Sequence, residues 1–280
     1  MRLLHGRPLA ESVNERTAAR IADLAARKVT PRLHIVSVGI DPAASTYQAR
    51  LQRSGKRLGI DVRVDELGFA AAESSLSSSL KTLSGDPLVH GILLLTPLPA
   101  PLDEAKSVEL IAPSKDVEGM HPHNVGLLAA GRPRFVPSTA EGIVELLKFH
   151  EVKLSGTRAI VIGRSAVVGR PAAALLLNED ATVTTAHSKT PDLGPLARSA
   201  SVVVVAVGKE GFVTGKMVAK GATVIDAGIN VTAAGISGDV DVESVSPVAG
   251  ALSPVPGGLG AVTTALMLRN VVAAAEAQTA

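Results

Sequence analysis

The chain has 280 residues, a formal net charge of +2, 46% apolar and 19% charged side chains, and no cysteine. The missing cysteine excludes disulfides, thiol catalysis and Cys-based metal sites. So small a charge excess supplies no basic patch for nucleic acid or an anionic membrane.

Aromatic residues make up only 2%, so the core must come from Ala, Val, Leu and Ile, which suits buried parallel strands. The length suggests two domains. Residues 244–268 carry no charge, but Pro247, Pro254, Pro256 and clustered glycines argue against a spanning helix. The N-terminus has no long apolar run. The reading is of a soluble, cytoplasmic protein.

In chain order, residues 9–28 carry apolar positions at helical spacing. A strand over 32–38 stops at Gly39, and Asp41-Pro42 opens a helix to about Leu58. A strand over 60–66, a serine-rich helix over 71–83 and a strand over 89–95 follow, the last running into Thr96-Pro97-Leu98-Pro99. Successive βα units imply a parallel sheet. Residues 115–126 read as a polar, irregular loop, and Pro137-Ser138-Thr139 opens a helix to His150.

The second half has strands at 159–162, 182–185, 202–207 and 223–226, with helices near 170–178, 192–199 and 214–220. A short hairpin is expected over 235–240 and a last helix over 262–277.

Within that half, Ile160–Ile162 ends at Gly163, and Gly169 precedes an Ala/Leu-rich helix. Strand, glycine turn and helix start form a cradle for an anion such as a pyrophosphate. The spacing G-x-S-x-x-x-G departs from G-x-G-x-x-G and alone is shared by ordinary βα turns. The next strand ends at His187-Ser188-Lys189, where an NAD site usually carries an acid. His187, Ser188 and Lys189, with Arg164 in the turn, suit a 2′-phosphate, so NADP is expected over NAD. No His/Asp/Glu cluster has metal-ligand spacing, so no metal is expected.

Four stretches together resemble the bifunctional methylenetetrahydrofolate dehydrogenase/cyclohydrolases. They are Val38-Gly39-x-Asp41-Pro42-Ala43-x-x-x-Tyr47, Gly91-Ile92-Leu93 with Pro97-Leu98-Pro99, Lys115–Gly119 through Asn124-Val125-Gly126, and Pro254–Gly258-x-Gly260. The glycine turn and Val224-Ile225-Asp226-x-Gly228-Ile229-Asn230 fit as well. The resemblance implies two α/β domains flanking a cleft, the second a Rossmann-type NADP-binding domain. The expected division is 1–138 plus 262–280 for the folate-binding domain and 139–261 for the nucleotide domain. It further implies a homodimer and a reduced folate as substrate, without nucleic acid or membrane partners.

By the same resemblance, Tyr47 stacks on the folate's aminobenzoyl ring, and Glu118 stands where an aspartate binds the pterin; these two are the catalytic-site candidates. Pro256 and Gly257 lie beside the folate. Gly163, Arg164, Ser165, Gly169, His187, Ser188, Ile229 and Thr263 fall on the cofactor side. The family's catalytic lysine lies four residues after the tyrosine, and here that position is Leu51. The glutamine that partners it is here Leu95. Arg50 is a poor substitute base, because guanidinium stays protonated.

Hydride transfer is mostly a positioning task, whereas hydrolysis of the methenyl product needs proton transfer. The sequence therefore points to an NADP-dependent dehydrogenase with weak or absent cyclohydrolase activity. Two alternatives stand: a fully bifunctional enzyme using Glu118, His121 or a water as base, and a non-catalytic or repurposed folate- and NADP-binding protein.

Overall fold

The computed structural model describes residues 1–39, 42–232 and 235–280. The expected role of Asp41 in opening a helix lies outside the described residues.

The chain divides into two compact units, residues 12–136 with 264–280 and residues 1–11 with 137–263. Each has its own parallel sheet.

In the first of these units, β2 (Arg32–Val38) lies between β3 (Asp61–Leu67) and β4 (Gly91–Leu94), all parallel. All but the first residue of β2 are buried, and so is all of β4, as a sheet covered on both faces requires. On one face Leu33, Ile35 and Leu93 pack with Ile21 and Leu24 of α1 (Arg7–Ala26), Leu51 of α2 (Pro42–Leu58) and Leu268, Val271 and Val272 of α10 (Leu259–Thr279). On the other, Val36, Val38, Ile92 and Leu94 meet Leu76, Leu80 and Leu83 of α3 (Glu73–Gly85) and Val108 of α4 (Glu104–Val108).

The other unit has a six-stranded sheet, β1-β11-β8-β7-β5-β6. Its strands are β1 (Arg2–Leu3), β5 (Arg158–Ile162), β6 (Thr182–Ala186), β7 (Val202–Val205), β8 (Thr223–Asp226) and β11 (Ala251–Leu252). The chain runs from β5 out to β6 on one side and then crosses back to β7 on the other side of β5, so the strand order reverses there. That is the topological switch point at which open α/β sheets bind ligands. Helices α6 (Ser138–Phe149), α7 (Gly169–Asn178) and α8 (Leu193–Arg198) complete the layers.

Several expectations need correction. Residues 1–11 belong with the nucleotide-type unit, because β1 pairs with β11 (Arg2 opposite Ala251). The polar loop ends at His121, since Pro122–Ala129 forms α5. A proline at the first position and the His121 ring, which accepts the N–H of His123, cap that helix. The expected helix over 214–220 shrinks to a 3-10 turn, Gly215–Met217. The hairpin pairs β10 (Gly235–Ser237) with β9 (Asn230–Thr232) and does not reach Val240, which bridges to Val213. A four-residue helix, α9 (Val242–Val245), was not expected.

Helix α10 is long and apolar enough to cross a membrane, but 67% of its apolar window is buried in the protein. Core burial accounts for its composition.

Candidate functional site

The glycine turn is built by steric exclusion. Gly163 has φ +130°, and a Cβ there would sit 2.1 Å from the Ala206 carbonyl oxygen. A Cβ on Gly169 would meet the Gly163 oxygen at 2.2 Å. Only glycine fits either position, so the backbone of β5 closes tightly onto the start of α7. Ser165 Oγ accepts the N–H groups of Val168 at 3.2 Å and Gly169 at 3.3 Å. Arg170 Nε donates to the Arg164 carbonyl at 3.2 Å. The result is a ten-residue helix whose positive end opens at an exposed Arg-Ser pair.

The neighbouring strand delivers a second turn. Gly163 N–H donates to the Ala186 carbonyl at 2.9 Å, which ties the ends of β5 and β6 together. His187 Nδ1 accepts the Lys189 N–H at 3.2 Å, and the His187 N–H donates to Thr190 Oγ1 at 2.9 Å. The neutral His187 ring therefore carries its proton on Nε2. Ser188 and Lys189 are exposed beside it. A helix N-terminus, glycine cradle and basic, hydroxyl-bearing turn at adjacent strand ends fit a phosphorylated dinucleotide.

Two buried acids organise the loops on the other side of β5. Asp226, 2% exposed, accepts N–H groups from Gly228 and Asp239 on Oδ1 and from Val240 on Oδ2, at 2.9 to 3.0 Å. Burial pushes its pKa up, its three backbone donors oppose that, and the Asp239 charge adds to it. Asp239 in turn accepts the N–H groups of Val207, Gly208 and Lys209 and the Asn230 side-chain amide, at 2.6 to 2.9 Å. These bonds fix the segments after β7 and β8. Ile229, between Gly228 and Asn230, is 67% exposed. Thr263 is half-buried, and its hydroxyl donates to the Gly260 carbonyl at 3.3 Å.

In the other unit, Tyr47 is half-buried against the cluster that contains Leu51 and Leu95, and the Arg50 guanidinium lies 5.7 Å from its ring centroid. Leu51 is 0% exposed. Leu95 is half-buried just past β4, its N–H donating to the Val36 carbonyl at 2.8 Å. A pocket of about 250 Å³ opens here, lined by residues that include Ser37, Gly39, Phe69, Leu95 and Leu98.

Glu118 is half-buried in a loop anchored by its neighbour. Asp116 accepts N–H groups from Met120 at 3.1 Å and His121 at 2.7 Å, and the Asn124 amide at 2.8 Å. Lys115 Nζ donates to the Asp86 carbonyl at 2.6 Å, and burial lowers its pKa.

Tyr47, Leu51, Leu95 and Glu118 thus share one unit, while Pro256 and Gly257 belong to the unit of the glycine turn. Both are exposed, Gly257 has φ +111°, and its carbonyl accepts the Gly6 N–H at 3.0 Å. Sequence reasoning missed Ser37 and Asp239. A single serine in an apolar strand and an acid in a polar loop give no signal until the fold assigns them neighbours.

Residues 4–118 match the family description "Tetrahydrofolate dehydrogenase/cyclohydrolase, catalytic domain", and residues 137–279 match its "NAD(P)-binding domain". "Bifunctional protein FolD" of Roseiflexus sp. (strain RS-1) is 46% identical over 280 residues, covering 99% of this chain and 97% of that one. The crystal structure of the bifunctional enzyme FolD from Campylobacter jejuni superposes with a TM-score of 0.96 at 39% identity, covering 99% of both chains. The Trypanosoma brucei methylenetetrahydrofolate dehydrogenase-cyclohydrolase, complexed with NADP cofactor and inhibitor, superposes at 0.93 with 32% identity, covering 99% and 98%.

Proposed function

The chain belongs to the tetrahydrofolate dehydrogenase/cyclohydrolase family, and from that premise we propose that it is an NADP-dependent 5,10-methylenetetrahydrofolate dehydrogenase with weak or absent cyclohydrolase activity. NADP⁺ supplies the hydride acceptor. Gly163, Arg164, Ser165 and Gly169 receive its pyrophosphate, and His187, Ser188 and Lys189 receive the 2′-phosphate by charge and hydrogen bonding. Ile229 and Thr263 belong to the cofactor side. Tyr47 stacks on the folate's aminobenzoyl ring, Glu118 holds the pterin's amide edge, and Pro256 and Gly257 lie beside the folate.

The observation that carries the reading is the burial of Leu51, 0% exposed in the same apolar cluster as Leu95. Oxidation of the methylene bridge is driven by the folate's own nitrogen lone pair and needs no proton transfer from the protein. Hydrolysis of the resulting methenyl cation is different: the attacking water must lose a proton, and the opening ring must gain one. Leucine does neither. A general base typically contributes about 10²–10⁴-fold, and that factor is the expected deficit.

A second reading is kept because the relatives are named bifunctional. In it Glu118, His121 or a water replaces the lysine. His121 offers only Nε2 for this, since Nδ1 accepts the His123 N–H at 3.0 Å. The resemblance also carries a homodimer, which sedimentation would test.

The deciding experiment incubates the protein with 5,10-methylenetetrahydrofolate and NADP⁺ and follows NADPH, methenyl and 10-formyl products separately. Accumulating methenyl product with 10-formyl appearing at the uncatalysed rate supports the proposal. Rapid 10-formyl production overturns it in favour of the bifunctional reading, and no NADPH despite ligand binding overturns both.

A further inference from the structure

Along β2 the side chains alternate, and Leu33 and Ile35 face the cluster of Leu51, Tyr47 and Leu93. Ser37 is the next residue on that face. Ile35 pairs with Leu93, so Ser37 stands level with Leu95 at the C-terminal end of the sheet. Ser37 is 0% exposed, and its Oγ has no hydrogen-bond partner among the described residues. It is also part of the wall of the 250 Å³ pocket, beside Leu95, Phe69 and Pro97.

Burying a hydroxyl without a partner is costly, whereas an apolar side chain in the same row would carry no such cost. The pocket is walled here mainly by apolar groups, Phe69, Leu95, Pro97 and Leu98, with the hydroxyls of Ser37 and Thr96 among them. Apolar walls with few polar groups suit a flat ring that presents a hydrogen-bonding edge.

We propose that Ser37 is a further substrate-binding residue, whose hydroxyl hydrogen-bonds the ring system of the reduced folate in this pocket. The inference rests on the family reading of the site. It makes Ser37 a determinant of specificity: a ligand that brings a polar atom to this position gains a hydrogen bond that a ligand without one forgoes.

The test compares wild type with Ser37→Ala, titrating each full-length protein with 5-formyltetrahydrofolate, a stable reduced folate, and separately with NADP⁺. Thermal unfolding of the free proteins is measured alongside. The expected result is a roughly tenfold higher folate Kd in Ser37→Ala, an unchanged NADP⁺ Kd and an unchanged or raised Tm. The Tm is decisive, because a hydroxyl with a purely structural partner, such as an internal water, would lower Tm when removed and leave the folate Kd alone. That pattern overturns the proposal, and so does an equal folate Kd in both proteins. If wild type binds NADP⁺ but no reduced folate, the family reading of the site falls, and this inference with it.

Discussion

Asp226 Oδ1 accepts the backbone N–H of Asp239 at 2.9 Å, so one buried carboxylate holds in place the residue that carries the other. The glycines around them leave room for nothing else. A Cβ on Gly238 would lie 1.9 Å from Asp226 Oδ2, and one on Gly228 would lie 2.2 Å from the Asp239 carboxyl carbon. Between them the two acids fix the loops after β7 and β8.

Asp239→Asn tests this arrangement. Oδ2 accepts two N–H groups and Oδ1 accepts a third plus the Asn230 amide, so either orientation of the new amide turns an NH₂ group toward donors. The expected loss is about 3 kcal/mol of stability by urea unfolding, with a weakened NADP⁺ Kd and a folate Kd that holds. Equal loss of both ligands would show that the acid serves the fold in general.

Restoring the lysine and glutamine should be strongly non-additive. Leu51→Lys alone puts an unpaired ammonium at a 0% exposed position and should cost about 3–5 kcal/mol. Adding Leu95→Gln supplies a partner and should recover part of that loss. The double variant should also gain 10-formyl production by about 10²–10⁴-fold over the chain as it stands. A double variant that folds and gains nothing would count against the assignment of Leu51.

Gly163→Ala forces a side chain onto a backbone with φ +130° and against the Ala206 carbonyl. Strain and clash together should cost roughly 3 kcal/mol. The NADP⁺ Kd should rise more than tenfold while folate binding persists, as paired titrations would reveal.

His90 sets an acid limit. It is buried, its Nδ1 accepts the Arg32 N–H at 3.1 Å, and burial, with Arg32 and Lys115 nearby, lowers its pKa from 6.5. The native state therefore resists the proton more than the unfolded chain does. This contribution is whole above pH 6.5 and is lost as pH falls below it. Urea midpoints at pH 7.5 and 5 should drop more in wild type than in His90→Asn, which keeps an acceptor but does not titrate; equal drops would clear His90.

The strands that carry the two sites were legible because runs such as Val202–Val205 and Ile160–Ile162 are dense in β-branched residues and stop at glycine or polar turns. The glycine turn was legible because its geometry is local. Strands β1 and β11 were not, because each has two residues and pairs across most of the chain. Helix α5 was hidden by the polar run His121–Asn124, whose members cap the helix or sit buried against Asp116. Tyr47, Leu51 and Leu95 were singled out by a spaced pattern. Ser37 and Asp239 act through neighbours that only the fold supplies.

The burial of Leu268, Val271, Val272, Ala274 and Ala275 of α10 on the face of β2 and β4 has a consequence for synthesis. The ribosome makes β2, β3 and β4 well before residues 264–280, which cover them. At ordinary elongation rates that apolar face waits on the order of ten to thirty seconds for its cover. The other unit waits as well, since β1 is made long before its partner β11. Neither unit can close as a contiguous stretch of nascent chain, and apolar surface that waits for a distant cover is the kind that aggregates in the meantime.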